Sequence, residues 1–228
     1  MELRGYAICT TQRSGSNFLG QLLESTRLLG RPKEYFNPGI RRNPGMEDHP
    51  RDSHGQLERI TTRGATPNGV YGLKLFPGQA RRAAVTHWAN VLPGLKFIHL
   101  ERQDVLGVAL SHVRALQTDQ YRSTRPVLGE AVYDRDKIYE RLRDAVVSQA
   151  CWRLYFSRNG ISVLSLVYED VVRAPQAAVD AVARLVGVDS AIIDPSVVDM
   201  RVQRDEVTDE WRERFMRETP SPHLVDQL

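Results

Sequence analysis

The stretch LRGYAICTTQRSGSNFLGQLLES, residues 3–25, decides the fold. Residues 3–10 are apolar and strand-like, residues 12–15 break the run, and Phe18, Leu19, Leu22 and Leu23 then return at helical spacing over residues 16–25. Strand, tight loop and helix in that order predict one βα unit. Further units follow. Asn68-Gly69 marks a turn before a strand at 70–76 and a helix at about 79–91. Residues 95–100 read as a strand ending at Glu101-Arg102, with Asp104 as N-cap of a helix over 105–118, and residues 119–126 form a polar loop. The longest helical pattern, 134–158, carries Ile138, Leu142, Val146, Ala150 and Leu154 every four residues and predicts one buried face through them. Residues 161–167 are a largely apolar run, as expected for a strand covered on both faces, and residues 175–186 form an amphipathic helix ending at Gly187. Thr208 is placed to cap a short charged helix reaching Glu218 and packing through Trp211 and Phe215.

Alternating strands and helices predict an α/β fold: a single domain over residues 1–228 with a central, mainly parallel sheet flanked by helices. An irregular excursion at about 31–64 interrupts it, because Pro32, Pro38, Pro44 and Pro50 are interspersed with Gly39, Gly45 and Gly55.

Composition narrows the function classes. The chain has 228 residues, 41% hydrophobic and 26% charged, which excludes wholesale disorder. Thirty-one Lys and Arg against 28 Asp and Glu leave +3, and aromatics are 7%, so neither a basic face nor a stacking platform for nucleic acid is expected. Two cysteines, Cys9 and Cys151, sit in apolar contexts and suit a reducing compartment as buried thiols. With no charged leader before an apolar run, and no apolar stretch of about 18 residues, a cytoplasmic protein without an integral membrane segment is expected. The six histidines and two cysteines lack metal-ligand spacing, so no metal is expected.

The chemistry concentrates in two places. Residues 10–17, between strand and helix, can converge backbone N–H groups on an anion at a helix N-terminus. Arg13 is a permanently charged donor there, Ser14, Ser16 and Asn17 are neutral donors, and Gly15 permits close approach. An ordinary capped helix is the equally weighted alternative. The nucleotide-binding pattern GxxxxGK[ST] is not met, since Ser16 follows Gly15 and the loop has no lysine. Arg102 ends a second apolar strand, with Ser111 nine positions later on the next helix; alone, the pair reads as solvated surface. Lys74 stands inside the apolar strand VYGLKLF, where its ammonium must reach an anion or snorkel to water. His99, in an apolar strand, is expected as a hydrogen-bonded core residue; His112 lies close to the Arg102 unit in sequence.

Together these segments resemble the sulfotransferases that use 3′-phosphoadenosine 5′-phosphosulfate. The blocks QRSGSNFL, GRPKEYF, NGVYGLKL, ERQDVLGVALSHVRALQT and VQRDEVTDEW are similar, in order, to those of the bacterial trehalose 2-sulfotransferase family, with a looser similarity to nodulation-factor sulfotransferases. The resemblance implies a P-loop-like sulfotransferase fold and the nucleotide as sulfuryl donor. It implies Arg13, Ser14, Gly15, Ser16 and Asn17 around the 5′-phosphosulfate, Arg102 and Ser111 on the 3′-phosphate, and Glu34 as general base. Lys74 joins as a candidate to hold the sulfuryl group or the acceptor. A small-molecule, glycan or glycolipid hydroxyl as acceptor and a homodimer follow from the same resemblance. Three features depart from the pattern: Asn17 replaces a threonine, Phe76-Pro77 replaces an apolar residue and tryptophan, and the loop between Phe36 and Thr66 is short. Gln203 and Arg204 match the last block without a derivable role. The rival readings are a nucleotide-dependent phosphotransferase, disfavoured by the missing Gly-Lys pair, and a non-enzymatic nucleotide-binding protein.

Overall fold

In β1 (Arg4–Thr10) every residue from Gly5 onward is buried, and successive side chains serve opposite cores. Tyr6 and Ile8 join Leu19, Leu22, Leu23, Ile98 and Val179 on one face of the sheet. Ala7 and Cys9 join Tyr71, Leu73, Phe97, Trp152 and Phe156 on the other. This period of two is what a strand buried on both sides dictates. Each fully buried aliphatic side chain contributes about 1.5–3 kcal/mol.

A computed structural model describes residues 2–42, 45–121, 126–199 and 206–218. Among these residues the sheet has the order β2-β1-β3-β4, where β2 is Val70–Leu75, β3 Leu95–Glu101 and β4 Val163–Val167. All three pairings are parallel, with Ala7 opposite Leu73 and Phe97. The structure is thus a single α/β domain with a parallel sheet and helices on both faces. From β1 the chain moves outward to β2, then crosses back over β1 to β3. The order therefore reverses between β1 and β3, and the carboxyl ends of those strands border the crevice where such sheets bind ligands.

Helix α1 (Ser16–Ser25) follows β1 as expected. The excursion is less irregular than its prolines suggest. It contains a 3₁₀ turn at Ile40–Arg42 and helix α2 (Ser53–Thr62), whose N-cap Asp52 accepts a hydrogen bond from the Gly55 N–H at 2.8 Å. Only Gln56 and Ile60 of α2 are buried, too few for an apolar stripe legible in sequence. The helix expected at 79–91 is broken into α3 (Pro77–Ala83), a 3₁₀ turn and α4 (Trp88–Val91), because His87 adopts φ 52. Helices α5 (Val105–Thr118) and α6 (Arg135–Arg158) match expectation in extent.

The buried face of α6 differs from the expected one. Ile138, Ala145, Trp152 and Phe156 are buried, whereas Leu154 is 66% exposed. Four residues turn a helix by about 400°, so a strict four-residue spacing drifts about 40° per step and ends on the opposite side after sixteen. A seven-residue spacing lags by only about 20°, and it carries Ile138, Ala145 and Trp152 to the core. β4 is an edge strand, half-buried rather than covered on both faces. It leads directly into α7 (Tyr168–Arg173), which the sequence pattern does not signal, and then α8 (Pro175–Leu185). The last described helix, α9 (Glu206–Glu218), packs Trp211 and Phe215 against Leu110, Val113 and Ile138. Thr208 lies within α9 instead of capping it, and its hydroxyl accepts from Arg114 Nη1 at 2.5 Å. Gln203 and Arg204 lie outside the described residues. No helix among the described residues is long and apolar enough to cross a membrane.

Candidate functional site

The loop after β1 is built from beneath. Thr10 Oγ1 donates to the Leu100 carbonyl at 2.7 Å, Trp152 Nε1 donates to the Thr10 carbonyl at 2.9 Å, and the Ser14 hydroxyl bonds the Thr11 carbonyl at 2.8 Å. Ser14 is fully buried, and its hydroxyl braces the loop. Two residues take left-handed backbone, Arg13 at φ 61 and Gly15 at φ 84. Gly15 is the N-cap of α1 and supplies no side-chain cap, so side chains of the loop leave the first-turn N–H groups to other acceptors.

Gly15 is required for a second reason. A Cβ there would lie 2.0 Å from the Tyr168 ring at the start of α7. Gly15→Ala is expected to destabilise the fold by about 1–3 kcal/mol through the left-handed backbone and this collision. An unchanged urea midpoint would show that Tyr168 withdraws at little cost.

Arg13 reaches across the crevice. Its Nε donates to Ser111 Oγ on α5 at 2.9 Å and its Nη1 to the Tyr121 carbonyl at 2.8 Å. Arg102, at the end of β3, directs Nη1 to the Arg13 carbonyl at 3.4 Å and lies 5.1 Å over the Tyr168 ring; its buried Nε has no hydrogen-bond partner. Burial, followed by the neighbouring Arg102 charge, pushes the Arg13 pKa below the usual arginine value. The two guanidiniums therefore form a crowded cationic pair served mostly by neutral oxygens. Asp104, 3.5 Å from Arg102 Nη2, is shared with Arg212 of α9, whose Nη2 donates to both carboxylate oxygens at 2.8 and 2.7 Å. Asp104 also caps α5, accepting from the Gly107 N–H at 2.9 Å.

Glu169 accepts from the main-chain N–H groups of Gln103 and Asp104, both at 3.2 Å. Hence the two strand ends differ: main-chain N–H groups of the β3–α5 turn are already satisfied by the carboxylates of Glu169 and Asp104, whereas those of the first turn of α1 have no side-chain cap from Gly15. The cleft between α5 and α9 has a volume of about 530 Å³, bordered by Arg13, Arg102, Ser111, Arg114, Thr208 and Arg212.

The second half of the site lies at the end of β2. Lys33 bridges to Leu73 in parallel fashion, and the Lys74 N–H donates to the Lys33 carbonyl at 2.9 Å, so the excursion runs briefly as an extra strand. That register brings Glu34 beside Lys74. The turn that sends the chain there passes Gly30 at φ 74, whose absent Cβ would lie 2.6 Å from the Gly72 nitrogen. Tyr35 and Phe36, both buried, anchor the far side, with Tyr35 OH donating to the Arg31 carbonyl at 2.9 Å and His49 Nε2 bonded to the Tyr35 carbonyl at 2.8 Å.

Lys74 Nζ is 3.2 Å from Glu34 Oε1 and bonds the Asn17 side-chain oxygen on α1, so the buried ammonium is partnered and does not snorkel to solvent. Asn17, where related sequences are expected to carry threonine, thus ties the first loop to the Glu34–Lys74 pair. Glu34 Oε2 accepts from Asn37 Nδ2 at 2.6 Å and Gln79 Nε2 at 3.0 Å. Burial alone raises the Glu34 pKa, but Lys74 and the two amide donors together hold it below the usual carboxylate value. The carboxylate is ionised at neutral pH.

Arg13, Gly15, Asn17, Glu34, Lys74, Arg102 and Ser111 thus gather at the carboxyl end of the sheet, with Ser16 buried in the first turn of α1. His99 is buried but held by packing: its ring meets Phe156 at 5.4 Å, Nε2 has no hydrogen-bond partner, and Nδ1 is 3.8 Å from Glu101. Burial, with the Arg141 and Arg13 charges, pushes His112 down to about 4, leaving it neutral. Sequence reasoning missed Tyr168, Gln79, Asn37 and Arg212. Of these, Tyr168 was detectable, since it follows the carboxyl end of a strand. Among the described residues no group of three His, Cys, Asp or Glu could hold a metal ion.

A family model described as Stf0 sulphotransferase matches residues 5–218. A trehalose 2-sulfotransferase of Mycobacterium tuberculosis is 29% identical, with 96% of each chain covered. One of Mycolicibacterium smegmatis is 25% identical over 93% of this chain and 94% of its own. Among solved structures, a sulfotransferase from Alicyclobacillus acidocaldarius is similar with a TM-score of 0.53 at 17% identity, covering 95% of this chain and 93% of the other. A sulfotransferase domain from the curacin biosynthetic pathway gives 0.50 at 14% identity, covering 96% and 99%. At such identities the structural likeness speaks for the fold, which is the P-loop-like fold of sulfotransferases.

Proposed function

The chain belongs to the Stf0 sulphotransferase family, and on that premise we propose that this enzyme moves a sulfuryl group from 3′-phosphoadenosine 5′-phosphosulfate to a carbohydrate hydroxyl, with a disaccharide such as trehalose as the first acceptor to test. The observation that carries the reading is the pair of half-buried guanidiniums at the strand reversal. Arg13 is depressed below its usual pKa by burial and by Arg102, so a bound anion would relieve both. The open N-terminus of α1 and Arg13 suit a 5′-phosphosulfate, while Arg102 and Ser111, nine positions apart in the chain, suit a second phosphate at the end of the neighbouring strand β3.

In this reading Glu34 takes the acceptor hydroxyl proton as the acceptor oxygen bonds to sulfur. The bond from sulfur to the bridging phosphate oxygen breaks in line, and its electron pair stays on the departing phosphate. Arg13 and the α1 N-terminus stabilise that charge. Lys74, between Glu34 and Asn17, is placed to steady the sulfuryl oxygens and keeps the carboxylate ionised before transfer. The residues need no metal for this step. Among the described residues, the carboxylates beside the second arginine are committed: Asp104 and Glu169 to main-chain N–H groups, Asp104 also to Arg212, and Glu101 to Arg153. Among those residues, this gives the phosphotransferase reading no uncommitted carboxylate beside the second arginine for a magnesium ion.

Thermal-shift titration with 3′-phosphoadenosine 5′-phosphate, beside adenosine 5′-phosphosulfate, AMP and ATP, tests the donor. A ligand at about 100 times its dissociation constant should add roughly 2.7 kcal/mol of stability. Arg102→Ala is expected to weaken the 3′-phosphorylated nucleotide by about 10–150-fold, the weight of a charged hydrogen bond, and to leave adenosine 5′-phosphosulfate unchanged. Equal losses for both ligands would remove Arg102 from the 3′-phosphate. A larger shift with ATP would replace the sulfotransferase donor by a nucleoside triphosphate. Transfer of labelled sulfate to trehalose, glucose and longer glycans then reads the acceptor.

A further inference from the structure

The two oxygens of Glu34 are held differently. Oε2 accepts both side-chain amides, from Asn37 at 2.6 Å and Gln79 at 3.0 Å. Each amide is itself fixed in orientation. The Asn37 side-chain oxygen accepts the Gly39 N–H at 2.9 Å, and the Gln79 oxygen accepts the Phe76 N–H at 3.2 Å where α3 begins. An amide whose oxygen is engaged by a main-chain donor must turn its NH₂ the other way. Neither amide can flip without leaving an N–H unpaired, which for Gln79, only 5% exposed, is costly. Oε1, by contrast, faces the Lys74 ammonium at 3.2 Å.

We infer that Gln79 and Asn37 are positioning residues, which anchor Glu34 through Oε2 and so assign the proton-accepting role to Oε1. The inference rests on the reading of Glu34 as general base and specifies how that base is aimed. An in-line displacement needs the base, acceptor oxygen and sulfur in fixed relation, and a carboxylate free to rotate would lose that alignment. The clamp also explains why a carboxylate 20% exposed keeps one orientation beside a loop. Lys74 on β2 is the charged group that acts on Glu34; the groups facing it from α3 and from the excursion, Gln79 and Asn37, are neutral.

Gln79 has a second duty, since its oxygen caps the start of α3. Two variants separate the duties. Gln79→Glu keeps the capping oxygen and replaces the NH₂ by an oxygen facing Glu34; Gln79→Met loses both. A capping role predicts that Gln79→Glu is active and Gln79→Met is not. The clamp predicts the reverse order of severity. Turnover on trehalose should fall about tenfold in Gln79→Met and further in Gln79→Glu, with donor KM unchanged. Carbon NMR titration of the Glu34 carboxyl in the free protein, assigned by loss of its signal in Glu34→Gln, should show a rise of about one pH unit in Gln79→Met and more in Gln79→Glu. Asn37→Asp, which retains the acceptor for Gly39, should move the titration the same way and provides an independent test should α3 unravel in the Gln79 variants.

A Glu34 titration and turnover unmoved in Gln79→Glu and Asn37→Asp, in a protein where Glu34→Gln is inactive, would overturn the clamp and leave the base intact. Full turnover in Glu34→Gln would overturn the base and, with it, the clamp.

Discussion

Glu34→Gln is expected to reduce sulfuryl transfer by roughly 10² to 10⁴, the range that follows loss of a general base, while the donor binds within about twofold of the unaltered protein. The split follows from the geometry. Glu34 contacts Lys74, Asn37 and Gln79, and none of the residues assigned to the nucleotide except Asn17 adjoins this cluster, through Lys74. Glutamine is nearly isosteric, so one amide donor and the packing of Tyr35 and Phe36 are retained. The pH dependence has a definite sign. Because the carboxyl is held below its usual value, it is already ionised at neutral pH, and turnover falls only as pH drops through that lowered value. Parallel measurement of kcat and nucleotide affinity decides the matter: loss of affinity equal to the loss of turnover would assign Glu34 to donor binding instead.

Arg13→Ala is expected to lower kcat/KM by about 10² to 10³, the cost of removing one preorganised donor from a site of developing charge. Arg13 has neutral partners, Ser111 Oγ at 2.9 Å and the Tyr121 carbonyl at 2.8 Å, so its charge is not consumed by a carboxylate. Lysine cannot reproduce the fork that holds Ser111 and the Tyr121 carbonyl at once, so Arg13→Lys should recover only part of the loss. The removal also relieves crowding with Arg102, so fold stability should not fall in proportion. Steady-state rates together with denaturation midpoints separate the two effects. A variant that unfolds readily but transfers normally per folded molecule would make Arg13 a structural tie between the first loop and α5.

Local chemistry is legible in this chain, and distant contacts are not. The β1–loop–α1 unit is visible because an apolar run, a break and apolar residues at helical spacing follow one another within one short segment. The Asp104 cap is visible for the same reason. Helix α2 is not, since Asp52 alone announces it and its neighbours are proline and glycine. The buried face of α6 was misassigned by counting fours where sevens keep to one side.

At the site, residue types and their order carry the reading of an anion loop, a second arginine–serine pair, a carboxylate and a strand lysine. By itself, then, the sequence determined most of the elements but not α2, α7 or the break at His87, together with the parallel α/β class, the family resemblance and the candidates, because φ/ψ preference, capping and periodicity act within a few residues. Tertiary structure alone decided the partners. Arg13 finds Ser111 across 98 positions and Lys74 finds Asn17 across 57. Those meetings depend on β1 lying between β2 and β3 and on Lys33 joining the edge of β2 at Leu73. Side-chain direction at a strand end is set by register and by what packs beneath it, and no local pattern contains that information.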